Sequence, residues 1–266
     1  MFKTKLLVAL LLAPPFIWVW YQGAPYLHWL MALFSVIAAD EVATMAAGKK
    51  DWATRIAAVL GSLLLYMPVA FSWVPWTQPE ALFIALVLAF LTHLFFPGEM
   101  DTVASRTGAS LLGSVYGGIP IGYLILVRDI PGDGRTLAFL ALSLSWFCDT
   151  FAYFGGRAFG RTKLYPKMSP NKTVEGLACG ALAAGIAAYI VLRIGQVPWG
   201  PVMAVSVGIL AGLWGQVGDL CESMLKRSFG VKDAGNFLPG HGGVLDRFDA
   251  VLFVAPLIFY VHRFWG

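Results

Sequence analysis

Charge is what this sequence has least of. Only 13% of its 266 residues are Asp, Glu, Lys or Arg, about half the share of an ordinary soluble domain. With 58% hydrophobic residues and a mean hydropathy of +0.72, such a chain cannot cover a water-exposed surface. That excludes a soluble globular enzyme, a disordered chain and a collagen-like fibre. Cysteine is scarce as well. Cys148, Cys179 and Cys221 lie in or beside apolar segments at no metal-ligand spacing and read as small apolar fillers. HExxH, GxSxG and CxxC motifs are absent. The basic excess, 19 Lys and Arg against 15 Asp and Glu, is too small to point to nucleic acid as a partner.

What the chain does have is long apolar runs. A membrane-crossing helix needs roughly 20 mostly apolar residues, and the candidates are 4–22, 26–47, 54–75, 80–96, 108–127, 135–156, 174–195, 198–221 and 246–264. The expected fold is an all-α polytopic membrane protein with about nine transmembrane helices. The first run has a basic start, Lys3 and Lys5, like a signal peptide. It continues through Ala13-Pro14-Pro15 to Trp20 without a small-residue cleavage site, so it counts as a span. The runs are too long and too uniformly apolar for the alternating strands of a barrel. With the N-terminus cytoplasmic, fifteen of the 19 basic residues fall on the cytoplasmic side, leaving only Arg128, Arg135, Arg193 and Arg263 opposite. The positive-inside rule then puts the C-terminus on the opposite side of the membrane. Residues 1–130 read as N-terminal transmembrane helices. Residues 131–266 read as a C-terminal transmembrane catalytic region with cytoplasmic loops 157–173 and 222–245.

Those two loops are basic and are flanked by carboxylates. Asp149 lies in the sixth span, Glu175 opens the seventh, Asp219 and Glu222 end the eighth, and Asp246 and Asp249 begin the ninth. Ionisable groups inside spans cost a few kcal/mol each and are functional candidates by default. Asp219, Glu222, Ser223 and Lys226 share one helical stripe if the eighth helix continues past the interface, and Asp246 and Asp249 share a face of the ninth. The turn through Pro239-Gly240 and Gly242-Gly243 would let these faces converge. Oxygen-only donors suit a hard cation such as Mg²⁺, and basic side chains around it suit a polyphosphate. The competing reading is that the acids pair with Lys226, Arg227 and Arg247 and only staple helix ends. His241 fits either a metal ligand or a turn residue. Asp40 and Glu41, inside the second span, are expected to border a polar cavity or to pair across the bundle. The run Gly155–Thr162 looks like a P-loop with Arg161 in place of its Lys, but it follows a span rather than a strand and is set aside.

The residues just collected resemble the phosphatidate cytidylyltransferase (CDP-diacylglycerol synthase) family. Its signature matches Ser223, Lys226-Arg227, Lys232-Asp233, Leu238-Pro239, His241-Gly242-Gly243, Asp246-Arg247 and Asp249 without gap or substitution. Upstream, Asp149, Ala152-Tyr153, Gly156-Arg157, Gly160, Leu164, Pro166, Ser169-Pro170, Lys172-Thr173 and Glu175-Gly176 are similar to a second region of the family. The N-terminal half matches only as apolar spans. The resemblance implies CTP + phosphatidate giving CDP-diacylglycerol + pyrophosphate in the bacterial cytoplasmic (inner) membrane. It also implies Mg²⁺ dependence, with a monovalent cation such as K⁺ sharing the site, and a homodimer.

On that reading Asp219, Asp246, Asp249 and Asp149 are the candidate metal ligands, and Asp219, Asp246, Asp249 and Lys226 the candidate catalytic groups. Arg227, Lys232, Ser223 and Arg247 join Lys226 as candidates to hold the triphosphate or the lipid phosphate. Ser169, Asn171, Lys172 and Thr173 stand just before the seventh helix, where side chains and backbone N–H groups receive an anion. Gly176–Gly180 and Gly208–Gly212 have GxxxG spacing, so the seventh and eighth helices are expected to pack closely. The nearest alternative is a CTP-dependent kinase of a polyprenol or phytol. An ion-coupled transporter would favour mid-bilayer acids and inverted halves; here most of the acids sit at one face, and the sequence shows no internal repeat.

Overall fold

The computed structural model describes residues 14–237 and 242–266. Lys3, Lys5 and the start of the first expected span lie outside the described residues, as do Leu238, Pro239, Gly240 and His241. Helix runs over 14–22 (α1), Tyr26–Ala47 (α2), Trp52–Ala70 (α3) and Gln78–Phe95 (α4). A short 3₁₀ turn, Met100–Thr102, leads into Val103–Arg128 (α5), and Gly134–Phe159 (α6) follows. Two short strands, Lys163–Tyr165 (β1) and Ser169–Thr173 (β2), precede Val174–Ile194 (α7) and Pro201–Ser228 (α8). The chain ends in Leu245–Phe248 (α9) and Val251–Trp265 (α10).

Seven of the described helices, α2 to α8, are long and apolar enough to cross a membrane. The protein is therefore an all-α polytopic membrane protein. The last helix departs from expectation. In place of one run over 246–264, the four-residue α9 stops at Phe248, a turn covers 249–250, and α10 restarts at Val251. Its 15 residues give about 22 Å of helix, less than the roughly 30 Å of a hydrocarbon core. Asp246 and Asp249 consequently do not share a face of one continuous helix. The eighth helix departs in the other direction, continuing to Ser228, so the stripe from Asp219 to Lys226 is fully helical. Loop 157–173 is not irregular either: α6 extends to Phe159, and β1 and β2 pair antiparallel with Lys163 opposite Thr173 and Tyr165 opposite Ser169.

The chain divides into two compact units. The first reaches to Leu126 and takes in Phe229–Arg247; the second comprises Val127–Ser228 and Phe248–Gly266. In the first, α2 packs on α3 and α3 on α4. Helix α4 buries only a narrow stripe, Ala81, Ala85, Ala89 and His93, one residue per turn. Phe83, Phe90, Leu94 and Phe95 are left exposed, as suits a helix bordered by lipid. Helix starts are set by local caps. Thr77 and Glu80 form a capping box on α4, and Asp51 accepts from the Thr54 N–H (3.2 Å) to start α3.

In the second unit α7 packs against both α6 and α8. Small residues make this possible, because helices in lipid associate by close packing rather than by expelling water. A Cβ on Gly208 would come within 2.7 Å of the Ala184 carbonyl, and one on Gly180 within 2.5 Å of the Cys148 carbonyl. The two GxxxG pairs thus serve different contacts. Gly208–Gly212 faces α7, whereas Gly176–Gly180 faces α6 rather than α8.

Asp51 also binds Arg106 through both carboxylate oxygens, at 2.5 and 2.6 Å. Burial alone would raise the Asp51 carboxyl, but the hydrogen bonds from Arg106 and Thr54 outweigh it and hold the group at about 2. A carboxylate held this low stabilises the fold fully above its unfolded value of about 3.9 and loses that contribution as pH falls toward the folded value. Arg106→Ala should therefore cost about 1–3 kcal/mol at neutral pH, as expected for a mostly buried charged hydrogen bond. Unfolding of the solubilised protein followed from pH 7 to pH 3 should show the gap to wild type narrowing below about pH 4.

Candidate active site

The site is assembled within the second unit. Thr173 is the N-cap of α7, its hydroxyl accepting from the Gly176 N–H (3.1 Å). Glu175, in the first turn, accepts from the Arg161 and Thr162 amides at 3.1 Å each. The Val174 N–H donates to the Thr162 carbonyl (2.9 Å). These bonds fix the β1–β2 hairpin to the start of α7 and so fix Lys172, which directly precedes the cap.

Lys172 reaches across to α8. Its ammonium donates to Gln216 Oε1 (2.7 Å) and forms an ion pair with Asp219 Oδ2. Gln216 Nε2 donates to Asp149 Oδ1 of α6 at 2.5 Å. Gln216 and Asp219 stand three residues apart, on one face of α8. The Ser223 hydroxyl extends that face and donates to Asp219 Oδ1 (3.3 Å). One buried amide thereby links the lysine of the hairpin to carboxylates on two helices. In a low-dielectric setting every member of such a network must be satisfied, and Gln216 spends both ends of its amide doing so.

These side chains open onto a cavity of about 590 Å³, within the range of small-molecule sites. Asp149, Lys172, Asp219, Ser169, Asn171 and Thr173 line it together with Tyr153, Arg157 and Gln216. Six of the sequence-predicted residues thus meet at one cavity. Tyr153 and Arg157 are one helical turn apart on α6, with the guanidinium donating to the phenol oxygen (3.3 Å). Gln216 was not among the expected site residues. Its signal was available, as a polar amide inside an apolar span one turn before Asp219.

Asp249 lies in the turn between α9 and α10, outside the long apolar helices. Its carboxyl is pushed up to about 6, chiefly by burial, with the negative charges of Asp219 and Asp149 adding to the shift. A carboxyl raised by burial and neighbouring negative charge is one a cation would relieve, and hard oxygen donors suit Mg²⁺. Among the described residues no three His, Cys, Asp or Glu side chains are gathered closely enough to hold a metal. The positive charge beside Asp219 is that of Lys172.

The remaining predicted residues are placed differently. Lys226 pairs with the buried Glu222 at 3.0 Å, one turn away on α8, so helix stapling does apply to that pair. Arg227 is exposed near the end of α8. Lys232, Asp246 and Arg247 belong to the first unit. There Asp246 Oδ2 accepts from the Ala234 and Gly243 amides at 2.9 and 2.8 Å.

The cavity thus gathers a lysine, an arginine and two carboxylates beside long apolar helices. Comparison with known proteins shows the family. The model of the cytidylyltransferase family matches residues 3–265, and this chain belongs to that family. It is 36% identical over 265 residues to the phosphatidate cytidylyltransferase of Bacillus subtilis strain 168, covering 97% of both chains. It is 35% identical to that of Staphylococcus saprophyticus, over 96% of this chain and 97% of the relative. The Staphylococcus aureus strain COL enzyme is 30% identical over the same shares.

Gln216→Leu should separate the roles within the network. It leaves Asp149 without its donor and Lys172 with one partner fewer. We expect at least a tenfold fall in the rate of CTP turnover per enzyme, with the solubilised protein still eluting as a folded species in size-exclusion chromatography.

Proposed function

We propose that this chain joins CTP to phosphatidate, giving CDP-diacylglycerol and pyrophosphate. The observation that carries the reading is the cavity at which Lys172, Gln216, Asp219 and Asp149 meet, in a chain whose family and relatives are cytidylyltransferases. An oxygen of the phosphatidate phosphate attacks the α-phosphorus of CTP. The bond from that phosphorus to the β-phosphate bridging oxygen breaks, and pyrophosphate leaves with its electron pair. The nucleophile is already largely ionised near neutral pH, its second pKa being about 6, so no strong general base is required. The difficulty is the meeting of two polyanions, which positioning and positive charge resolve.

Lys172 and Arg157 would hold the triphosphate in the cavity, with Ser169, Asn171 and Thr173 orienting it from the hairpin and the start of α7. Lys226, Arg227, Ser223, Lys232 and Arg247 stand by resemblance as further phosphate-holding groups. A divalent cation such as Mg²⁺ would neutralise phosphate charge and stabilise the leaving pyrophosphate. Asp219 and Asp249 would hold it, with Asp149 and, by resemblance, Asp246 as the further ligands; K⁺ is the second cation the resemblance implies. Lys172 would then exchange Asp219 for a phosphate oxygen of the nucleotide.

The positive-inside bias supports a cytoplasmic N-terminus and a cavity open to cytoplasmic CTP. The inner membrane and the homodimer complete the proposal on the strength of the resemblance.

Purified protein given labelled CTP, phosphatidate and Mg²⁺ should form a labelled CDP-lipid with release of pyrophosphate. Release of CDP with a newly phosphorylated lipid would instead identify a kinase. Asp219→Ala and Asp246→Ala should each lower turnover at least a hundredfold while the protein still inserts and assembles. Near-normal turnover in either would remove that residue from the ligand set.

A further inference from the structure

Asp40 and Glu41 stand out in the sequence as adjacent acids in an apolar span, and the cavity on the second unit does not use them. Asp40 is answered locally, its two oxygens taking the Arg55 guanidinium at 2.7 and 2.9 Å. Glu41 is different. It is 94% buried, and its partners lie two hundred residues away in sequence. One carboxylate oxygen accepts from the Val244 N–H and the other from the Leu245 N–H, both at 2.9 Å. A carboxylate at this depth persists only where such donors satisfy it.

We propose that Glu41 is a positioning residue for the reaction: it clamps Val244 and Leu245 to α2 and thereby sets where Asp246 is held. Three observations within the first unit converge on this. The amides that Glu41 accepts belong to the residues immediately before Asp246, at the start of α9. Asp246 itself accepts from the amides of both Gly243 and Ala234, tying these two residues together. Glycine occupies both points where the loop backbone passes over the Glu41 carboxylate. A Cβ on Gly235 or on Gly243 would lie 2.5 Å from Oε1, closer than any real contact allows. Val244 and Leu245 are thus pinned to α2 by one carboxylate, Ala234 and Gly243 are joined by a second, and a side chain at either glycine would displace the Glu41 carboxylate.

The inference rests on the reading of Asp246 as part of the transferase machinery, and its readouts keep the two apart. In Glu41→Gln an amide NH₂ replaces one of the two acceptors, so one loop N–H loses its partner. A spin label on Asn236→Cys, within the loop, should be immobile in the wild-type background and at least threefold more mobile with Glu41→Gln. Turnover should fall at least tenfold, most of it in kcat rather than in KM for CTP, because Lys172 and Arg157 in the second unit are untouched. Adding Glu41→Gln to Asp246→Asn should cost little more than Asp246→Asn alone, since both act through one loop. Gly235→Ala keeps the Glu41 charge but displaces it, and should reproduce the mobile label and the fall in turnover. Wild-type hydrogen exchange covers the case in which these variants do not fold: the Val244 and Leu245 amides should be strongly protected. An immobile label, turnover within twofold of wild type in the folded variants, or unprotected amides at 244 and 245 would overturn the proposal. If the wild type makes no CDP-lipid, the functional reading fails instead, while label and exchange still report the clamp.

Discussion

The ammonium of Lys172 is the contact on which the second unit's chemistry turns. It is held by the Gln216 amide oxygen and the Asp219 carboxylate, and Gln216 passes the connection to Asp149. In a chain with so few charges, an ion at the end of an apolar helix must be answered by another group or expel the helix from its place. Three elements are brought into register by that need. The hairpin supplies the lysine, α8 the amide and one carboxylate, and α6 the other carboxylate. The hairpin can do so because Thr173 and Glu175 lock its ends onto α7.

Close helix packing is the second condition. Asp149 and Gln216 meet at 2.5 Å only because α6, α7 and α8 approach through glycine and alanine, with Gly180 against α6 and Gly208 against α7. Bulkier residues there would push the helices apart and open the network to lipid or water. The same logic of backbone meeting carboxylate appears in the first unit, where Glu41 and Asp246 hold a loop through its amides. In both units, then, an acid inside or beside a span fixes a segment that carries the family's signature residues.

Much of this was legible in the sequence. The apolar runs place seven of the long helices within a few residues, because length and hydropathy alone decide which segments suit a bilayer. Asp149, Ser169, Lys172, Thr173 and Asp219 were identifiable from charge in apolar surroundings or from a matched motif, and Asn171 from its place just before α7; all six line one cavity. What escaped depends on distant partners. Gln216 carries no charge and belongs to no quoted motif; its place one turn before Asp219 hints at a role, and its two hydrogen bonds reveal what it links. The β1–β2 hairpin is too short and too polar for periodicity to mark. The break between α9 and α10 follows from no helix breaker in the local sequence, since Phe248-Asp249-Ala250 reads as helix. The partners of Glu41 are two hundred residues away, beyond any spacing rule.

The central claim is that Lys172, set by Gln216 and Asp219, receives the nucleotide. Equilibrium binding of labelled CTP to the solubilised protein in Mg²⁺, with wild type beside Lys172→Ala, tests it most directly. Affinity should fall at least tenfold in a variant that remains folded. Unchanged affinity in folded Lys172→Ala would contradict it.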